Sequence, residues 1–275
     1  MTRNARRSLA VVAAVAVLGI ANLACAAEPG AAADSWPALA HSIFKDRPLN
    51  DGSGVIALEM PYRAEDAAIV PLSVRDTLPA GDPRRIKALT IVIDENPSPV
   101  AAEFTFGDKA AVSAISTRVR VNSYTNVHAV AELSDGKLYM VKTYVKAAGG
   151  CSAPAIKDEA EARANIGQMR LRQFAQAGAA AQGKAREAQI MIRHPNNSGL
   201  QMDQITHLYV PAFFIDNLKV WQGDDLLFAM EGGISISENP SIRFTYVPNG
   251  AATMRAEATD TDKHVYKGAW PAAGI

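Results

Sequence analysis

The stretch "VKAAGGCSAPA", Val145 to Ala155, sets a cysteine between two glycines and a proline near the middle of the chain. In its thiolate form a cysteine is a strong nucleophile and can hold a transferred group covalently. Its neighbours decide which use is open to it. Gly149 and Gly150 precede Cys151, and Ser152, Ala153 and Pro154 follow it. Glycine pairs do not build cores and proline ends a strand ladder, so Cys151 is expected on an exposed, flexible arm. Catalysis needs a nucleophile fixed by packing, whereas a mobile thiol suits the carriage of a bound group from one enzyme to another. Two alternatives stay open on these residues alone. One is a buried, inert cysteine; the other is a hydrolase nucleophile with a histidine about 3 Å away.

Other chemistry is sparse. The five histidines, His41, His128, His194, His207 and His264, are scattered without ligand spacing and read as surface or turn residues. Asp260 and Asp262 in "TDTDKH" read as a solvated hairpin tip rather than a calcium site. No dinucleotide fingerprint, P-loop, nucleophile elbow or zinc-protease motif occurs. No metal or cofactor is expected. Formal charge balances at 28 basic against 28 acidic residues, which gives no reason to expect a nucleic-acid partner.

Residues 1–27 read as a secretory signal peptide. Arg3, Arg6 and Arg7 precede an apolar run from Leu9 to Ile20, and Ala24, Ala26 and Ala27 form a small-residue cleavage site. "RRSLA" loosely fits a twin-arginine signal as an alternative to the general export route. A lipoprotein box at Cys25 is disfavoured because Asn22 stands where an aliphatic residue is wanted. No later stretch is long and apolar enough to span a bilayer. The expected product is a periplasmic protein. Cleavage removes Cys25, leaving Cys151 without an internal disulfide partner.

The elements that must position Cys151 read as short strands. "DSWPALAHSIFKD" suggests a helix capped by Asp34 or Ser35, with Leu39 and Ile43 on one face. Beyond it the apolar period becomes two. "ALTIVID" and "VAAEFTF" flank a proline-marked turn. "TRVRVNSY" alternates Val119 and Val121 against Arg118, Arg120 and Asn122. "VHAVAELSDGKLYMVKTYV" is a hairpin turning at Asp135-Gly136. Lys157 to about Ala185 is alanine-, glutamine- and charge-rich, and reads as a helical linker with Ile166, Met169 and Phe174 on a weak stripe. Strands resume with "EAQIMIRH", a hairpin turning at Gly223-Asp224, and two strand-turn-strand units, "ISISENPSIRFTYV" and "TMRAEATDTDKHVYKGAW". The expected fold class is all-β, as two small sandwiches joined by a mainly helical linker. The divisions are a 34–155 unit ending in the cysteine arm, a 156–185 linker and a 186–275 unit.

Specific stretches carry a family resemblance. "TIVIDENPSPVAAEFTF", "TRVRVNSYTNVHAVAEL" and "KLYMVKTYVKAAGGCSAPA" resemble SoxY, the sulfur-carrying subunit of the periplasmic thiosulfate-oxidising system. "IMIRHPNNSGLQMDQ", "VPAFFIDNLKVWQGDDLLFAMEGGISISENPSIRFTYVP" and "VYKGAW" resemble SoxZ, its partner subunit. The order within one chain is similar to fused SoxYZ-like carriers associated with quinoprotein dehydrogenases. The resemblance implies two immunoglobulin-like β-sandwiches, no catalytic activity, and Cys151 as the residue on which sulfur species are held. It implies as partners periplasmic sulfur-oxidising enzymes or a quinoprotein (PQQ) dehydrogenase system, the latter served by a non-carrier accessory module in the alternative reading. One departure stands out: in SoxY the arm is the extreme C-terminus, whereas here a whole domain follows it. An arm tied at both ends reaches less far and enters a partner as a loop.

The two halves are expected to pair within the chain. "LYVPAFFIDNL", Leu208 to Leu218, holds more large apolar side chains than one strand face buries, so some should meet the first half. "HPNNSGLQMDQ" reads as a turn shaping that contact. The Cys151 loop is expected to project from the junction, uncovered.

Overall fold

A computed structural model describes residues 34–109, 111–154, 164–174 and 185–272. The signal peptide falls outside the described residues, as does most of the expected linker. Ser35–Ile275 forms one compact unit.

Helix α1 (Trp36–Phe44) opens it, with a proline in its first turn. Ser35 stands at the cap position without capping; its hydroxyl instead donates to Glu95 Oε1 at 2.8 Å. Trp36, Ile43 and Phe44 pack the helix onto Val130, Leu138 and Met140. Strands of the first half follow: β1 (Leu49–Asp51), β2 (Ile56–Glu59), β3 (Val70–Asp76), β4 (Ile86–Ile93), β5 (Val100–Phe106), β6 (Ala114–Val119), β7 (Thr125–Leu133) and β8 (Leu138–Val145). After them come β9 (Met169–Phe174), β10 (Arg186–Ile192), β11 (Ile215–Gln222), β12 (Asp225–Gly232), β13 (Ser241–Tyr246), β14 (Thr253–Asp260) and β15 (Val265–Pro271). Both expected hairpins form, as β7–β8 around Gly136 and β11–β12 around Gly223, each glycine at positive φ.

The layers are sandwich-like and the class is all-β. Each of the two sheets runs through both halves of the chain. One has nine strands in the order β1-β8-β7-β4-β5-β12-β11-β14-β15; the other has six, β2-β3-β6-β13-β10-β9. The seams are antiparallel: β5 pairs β12 from Phe106–Phe228 to Ala102–Gly232, and β6 pairs β13 around Ile115–Phe244. Each seam converts two sheet edges into a paired interior. Behind them lies one apolar core drawn from both halves, in which Phe104, Phe228, Phe244 and Tyr246 form a chain of ring contacts at 6.2, 5.1 and 5.5 Å.

Two expectations are corrected. Met169–Phe174 is a strand, not part of a helix; it is one of the two outer strands of the six-stranded sheet, with Met169 and Leu171 turned to the core and Arg170 and Arg172 outward. Its period of two outweighs the helix propensity of its surroundings. "ISISENPSIRFTYV" yields one strand, β13; Ile234–Ser237 makes only an isolated bridge, Ile236 to Val119. In "LYVPAFFIDNL", Ile215 and Leu218 enter the core, but Leu208 and Tyr209 are exposed. They lie near the tip of a turn held by Asp203, which accepts from the backbone N–H groups of Ile205 and Thr206.

Candidate functional site

Cys151 lies where the two halves meet. The end of β8 leads through Lys146 to the turn Gly149–Ser152, closed by Ser152 N–H donating to the Gly149 carbonyl at 3.2 Å. Gly149 N–H donates to Asn122 O (2.8 Å) and Gly150 N–H to Val121 O (3.0 Å), which docks the turn on the chain just beyond β6. From the other half, the Ser198 hydroxyl donates to the Cys151 carbonyl. Cys151 is fully buried, while Gly149, Ser152 and Pro154 are exposed, Ala153 is half-buried and Gly150 is buried.

This corrects the expected exposure of the Cys151 thiol. The glycine pair is needed here for close approach. Gly149 sits at φ +77°, a region that strains any residue with a Cβ, and a Cβ on Gly150 would fall 2.1 Å from the Ala67 carbonyl oxygen. Cys151 itself is covered at the junction, while the rest of its turn keeps Gly149, Ser152 and Pro154 at the surface. Burial pushes the Cys151 thiol above its ordinary range, a shift that the nearby Arg120 opposes in part. No hydrogen bond joins Cys151 to a histidine among the described residues.

Several residues that the sequence reading did not single out build this junction. Arg120 was expected on the polar face of an alternating strand, yet β6 ends at Val119, and Val119, Arg120 and Val121 are buried in succession. The reason is that this segment is walled on both sides: Arg120 N–H donates to Ser235 O (2.7 Å) and Val121 N–H to Ala67 O (2.9 Å). The Arg120 guanidinium donates from Nη1 to Gly150 O (3.1 Å) and from Nη2 to Asn196 O (3.3 Å). Burial lowers its pKa. Asn96, in the proline-marked turn after β4, donates to Arg120 O and Ser235 Oγ and accepts from Asn122 N–H, each at 2.8 Å. "HPNNSGLQMDQ" does lie against the first half, through Asn196 and Ser198. The buried Gln201 accepts from Ser198 N–H at 2.9 Å.

Two of the five histidines are not surface residues. His128 is buried, paired with Asp94 at 2.9 Å and stacked on Trp36 with ring centroids 3.6 Å apart. His194 is buried with Nδ1 2.8 Å from Asn196 Oδ1, and burial pushes its pKa down. Asp260 is likewise no solvated tip: it is buried and accepts from Tyr266 OH at 2.7 Å and from the His264 backbone N–H at 3.0 Å. Among the described residues no three His, Cys, Asp or Glu side chains converge as a metal site, and no helix is long and apolar enough to cross a membrane.

Fold and site together define a two-layer β-sandwich protein whose only described cysteine is shielded at the seam between its halves. Family comparison narrows that class. The model of "Sulfur oxidation protein SoxY" matches residues 40–151, ending on the cysteine itself, and the model of "Sulphur oxidation protein SoxZ" matches residues 174–271. The chain belongs to the SoxY and SoxZ sulfur-oxidation families, fused in that order. No curated protein matches it. Among solved structures, "Superoxide reductase (Neelaredoxin) from Ignicoccus hospitalis" is 11% identical, covering 34% of this chain and 79% of that one, with a TM-score of 0.30. A beta-glycosidase from Bacteroides vulgatus is 8% identical, covering 79% of this chain and 24% of that one, with a TM-score of 0.24. Both scores are too low to carry a fold assignment.

Proposed function

We propose that this chain is a periplasmic carrier, not itself a catalyst, that holds a sulfur-containing intermediate covalently on Cys151 and presents it to partner enzymes. The observation that carries this reading is the place of Cys151: the last residue of the SoxY match, on a turn of four residues latched to the SoxZ half by one side-chain hydrogen bond to its carbonyl. A thiol so placed is sheltered when the latch is closed and delivered when the turn lifts away. The partners are periplasmic sulfur-oxidising enzymes, and export is by the N-terminal signal peptide. The test is intact mass of the purified protein before and after exposure to thiosulfate or sulfide with an oxidising partner. A mass gain on Cys151 is expected. Absence of any adduct, with the thiol closed to alkylating reagents under all native conditions, would refute it.

The complete burial of Cys151 favours a second reading, a docking module for a quinoprotein dehydrogenase system in which the thiol only packs. Cys151→Ser separates the two: it abolishes function in a carrier and is nearly silent in a docking module.

A further inference from the structure

Arg120 is the largest fully buried side chain among the described residues, at 1% exposure. Its guanidinium donates to two backbone carbonyls, Gly150 O and Asn196 O, and its Nε–H has no partner. No carboxylate of the described residues forms an ion pair with it; Glu238 and Asp66 act on it only at longer range. A guanidinium stays charged even when buried, and a buried charge without a counter-ion is costly. Neutral carbonyls satisfy hydrogens but do not neutralise charge.

A second buried donor, neutral but also unpartnered, lies in the other half of the chain. Gln201 is fully buried; its oxygen is taken by Ser198 N–H, while its Nε2–H2 group is unpartnered. Ser198 in turn holds the Cys151 carbonyl. Donors from both halves therefore flank the Cys151 backbone, with a guanidinium charge that no carboxylate of the described residues pairs directly. A neutral thiol leaves that charge standing.

We infer that Arg120 is the counter-ion for an anionic sulfur group carried on Cys151, so that the closed loop holds a negatively charged adduct more firmly than a neutral one. The inference rests on the carrier reading and adds to it the residue that receives the cargo's charge; a persulfide anion and an S-thiosulfonate each add negative charge beside the sulfur. Loading tightens the latch that the free thiol already closes, and discharge of the anion loosens it.

The test uses the full chain with Cys25→Ser, so that Cys151 is the single thiol. Tetrathionate installs the anion: the thiolate sulfur attacks an inner sulfur, the central S–S bond breaks, thiosulfate leaves with the electron pair, and the thiol proton goes to solvent. Methyl methanethiosulfonate installs a neutral methyl disulfide in the same way, with methanesulfinate leaving. The melting temperature is then measured for the thiol, S-thiosulfonate and methyl-disulfide forms. The S-thiosulfonate form should melt at least about 3 °C above the methyl-disulfide form, a shift that corresponds to roughly tenfold in the closing equilibrium. Arg120→Gln should abolish that difference and Arg120→Lys should retain part of it. Equal melting temperatures, or a more stable neutral form, overturn the inference and leave the carrier reading standing. A Cys151 that takes neither reagent overturns both. The comparison of the three forms decides the matter even where Arg120→Gln fails to fold.

Discussion

Ser198→Ala tests the latch on Cys151 directly. The Ser198 hydroxyl donates to the Cys151 carbonyl, and both residues are buried. Removing the hydroxyl leaves a buried carbonyl without its side-chain donor, at about 1–3 kcal/mol. That penalty falls on the closed state alone, because water satisfies the carbonyl when the turn lifts. At about 1.4 kcal/mol per factor of ten, the open population should rise roughly 5- to 140-fold. The hydroxyl also accepts from Leu200 N–H at 3.2 Å, but Leu200 is partly exposed and its amide can turn to water. The assay is the pseudo-first-order rate of N-ethylmaleimide labelling at pH 7.5 on the Cys25→Ser chain. With opening fast and labelling slow, the rate follows the open population. Ser198→Thr, which keeps the hydroxyl, should label close to the parent rate. A labelling rate unchanged by Ser198→Ala, in a protein with unaltered melting temperature, would show that this hydrogen bond does not govern the loop. A parent chain that already labels at the urea-unfolded rate would refute the closed loop altogether.

Gly150→Ala should hold the loop open, since the added Cβ would lie 2.1 Å from Ala67 O and 2.6 Å from Val121 O, both backbone atoms; labelling near the unfolded rate is expected, and parent-like labelling would contradict the packing. Calorimetry should show a single unfolding transition for both halves because they share one core, and Phe228→Ala should lower the midpoint of that whole transition by the equivalent of about 3–5 kcal/mol. Two resolved transitions, of which only one shifts, would count against a shared core. Burial holds His194 below its ordinary value of 6.5, so the unfolded chain binds a proton that the folded chain refuses. That contribution to stability is full above about pH 6.5 and is lost as pH falls below it; the melting temperature should decline over this window and flatten in His194→Asn, and identical pH profiles for the two proteins would refute the assignment.

Local structure was largely legible in the sequence. The alternation in "VHAVAELSDGKLYMVKTYV" and the Asp135-Gly136 turn specify a hairpin by side-chain period and turn chemistry, and both are local signals. Strand β9 was obscured because "MRLRQF" is only six residues of alternation inside a helix-favouring composition. Joining the sheets at β5–β12 and β6–β13 depends on strand pairs more than a hundred residues apart, on which a one-dimensional pattern is silent. At the site, Cys151 and its glycines stood out by residue type, but two glycines can mean either mobility or close approach. The Ala67 carbonyl decides for close approach in the closed state, and it is remote in sequence. Arg120 was misplaced because alternation is informative only while the strand lasts; past Val119 both sides of the chain are covered.

The place of the turn on β8 also limits how far a cargo can travel. Cys151 is the sixth residue after Val145, where β8 ends, and a fully stretched chain advances about 3.3–3.6 Å per residue. If β8 stays in its sheet, the sulfur has a working radius of roughly 20 Å around that strand end. The leash is set by the short N-terminal side, so the domain that follows subtracts little from its length. What the second attachment changes is girth: a partner must admit two chain strands abreast rather than a single thread. An enzyme serving this chain should therefore have an open cleft leading to a reactive centre no deeper than that radius, where a narrow tunnel would exclude it.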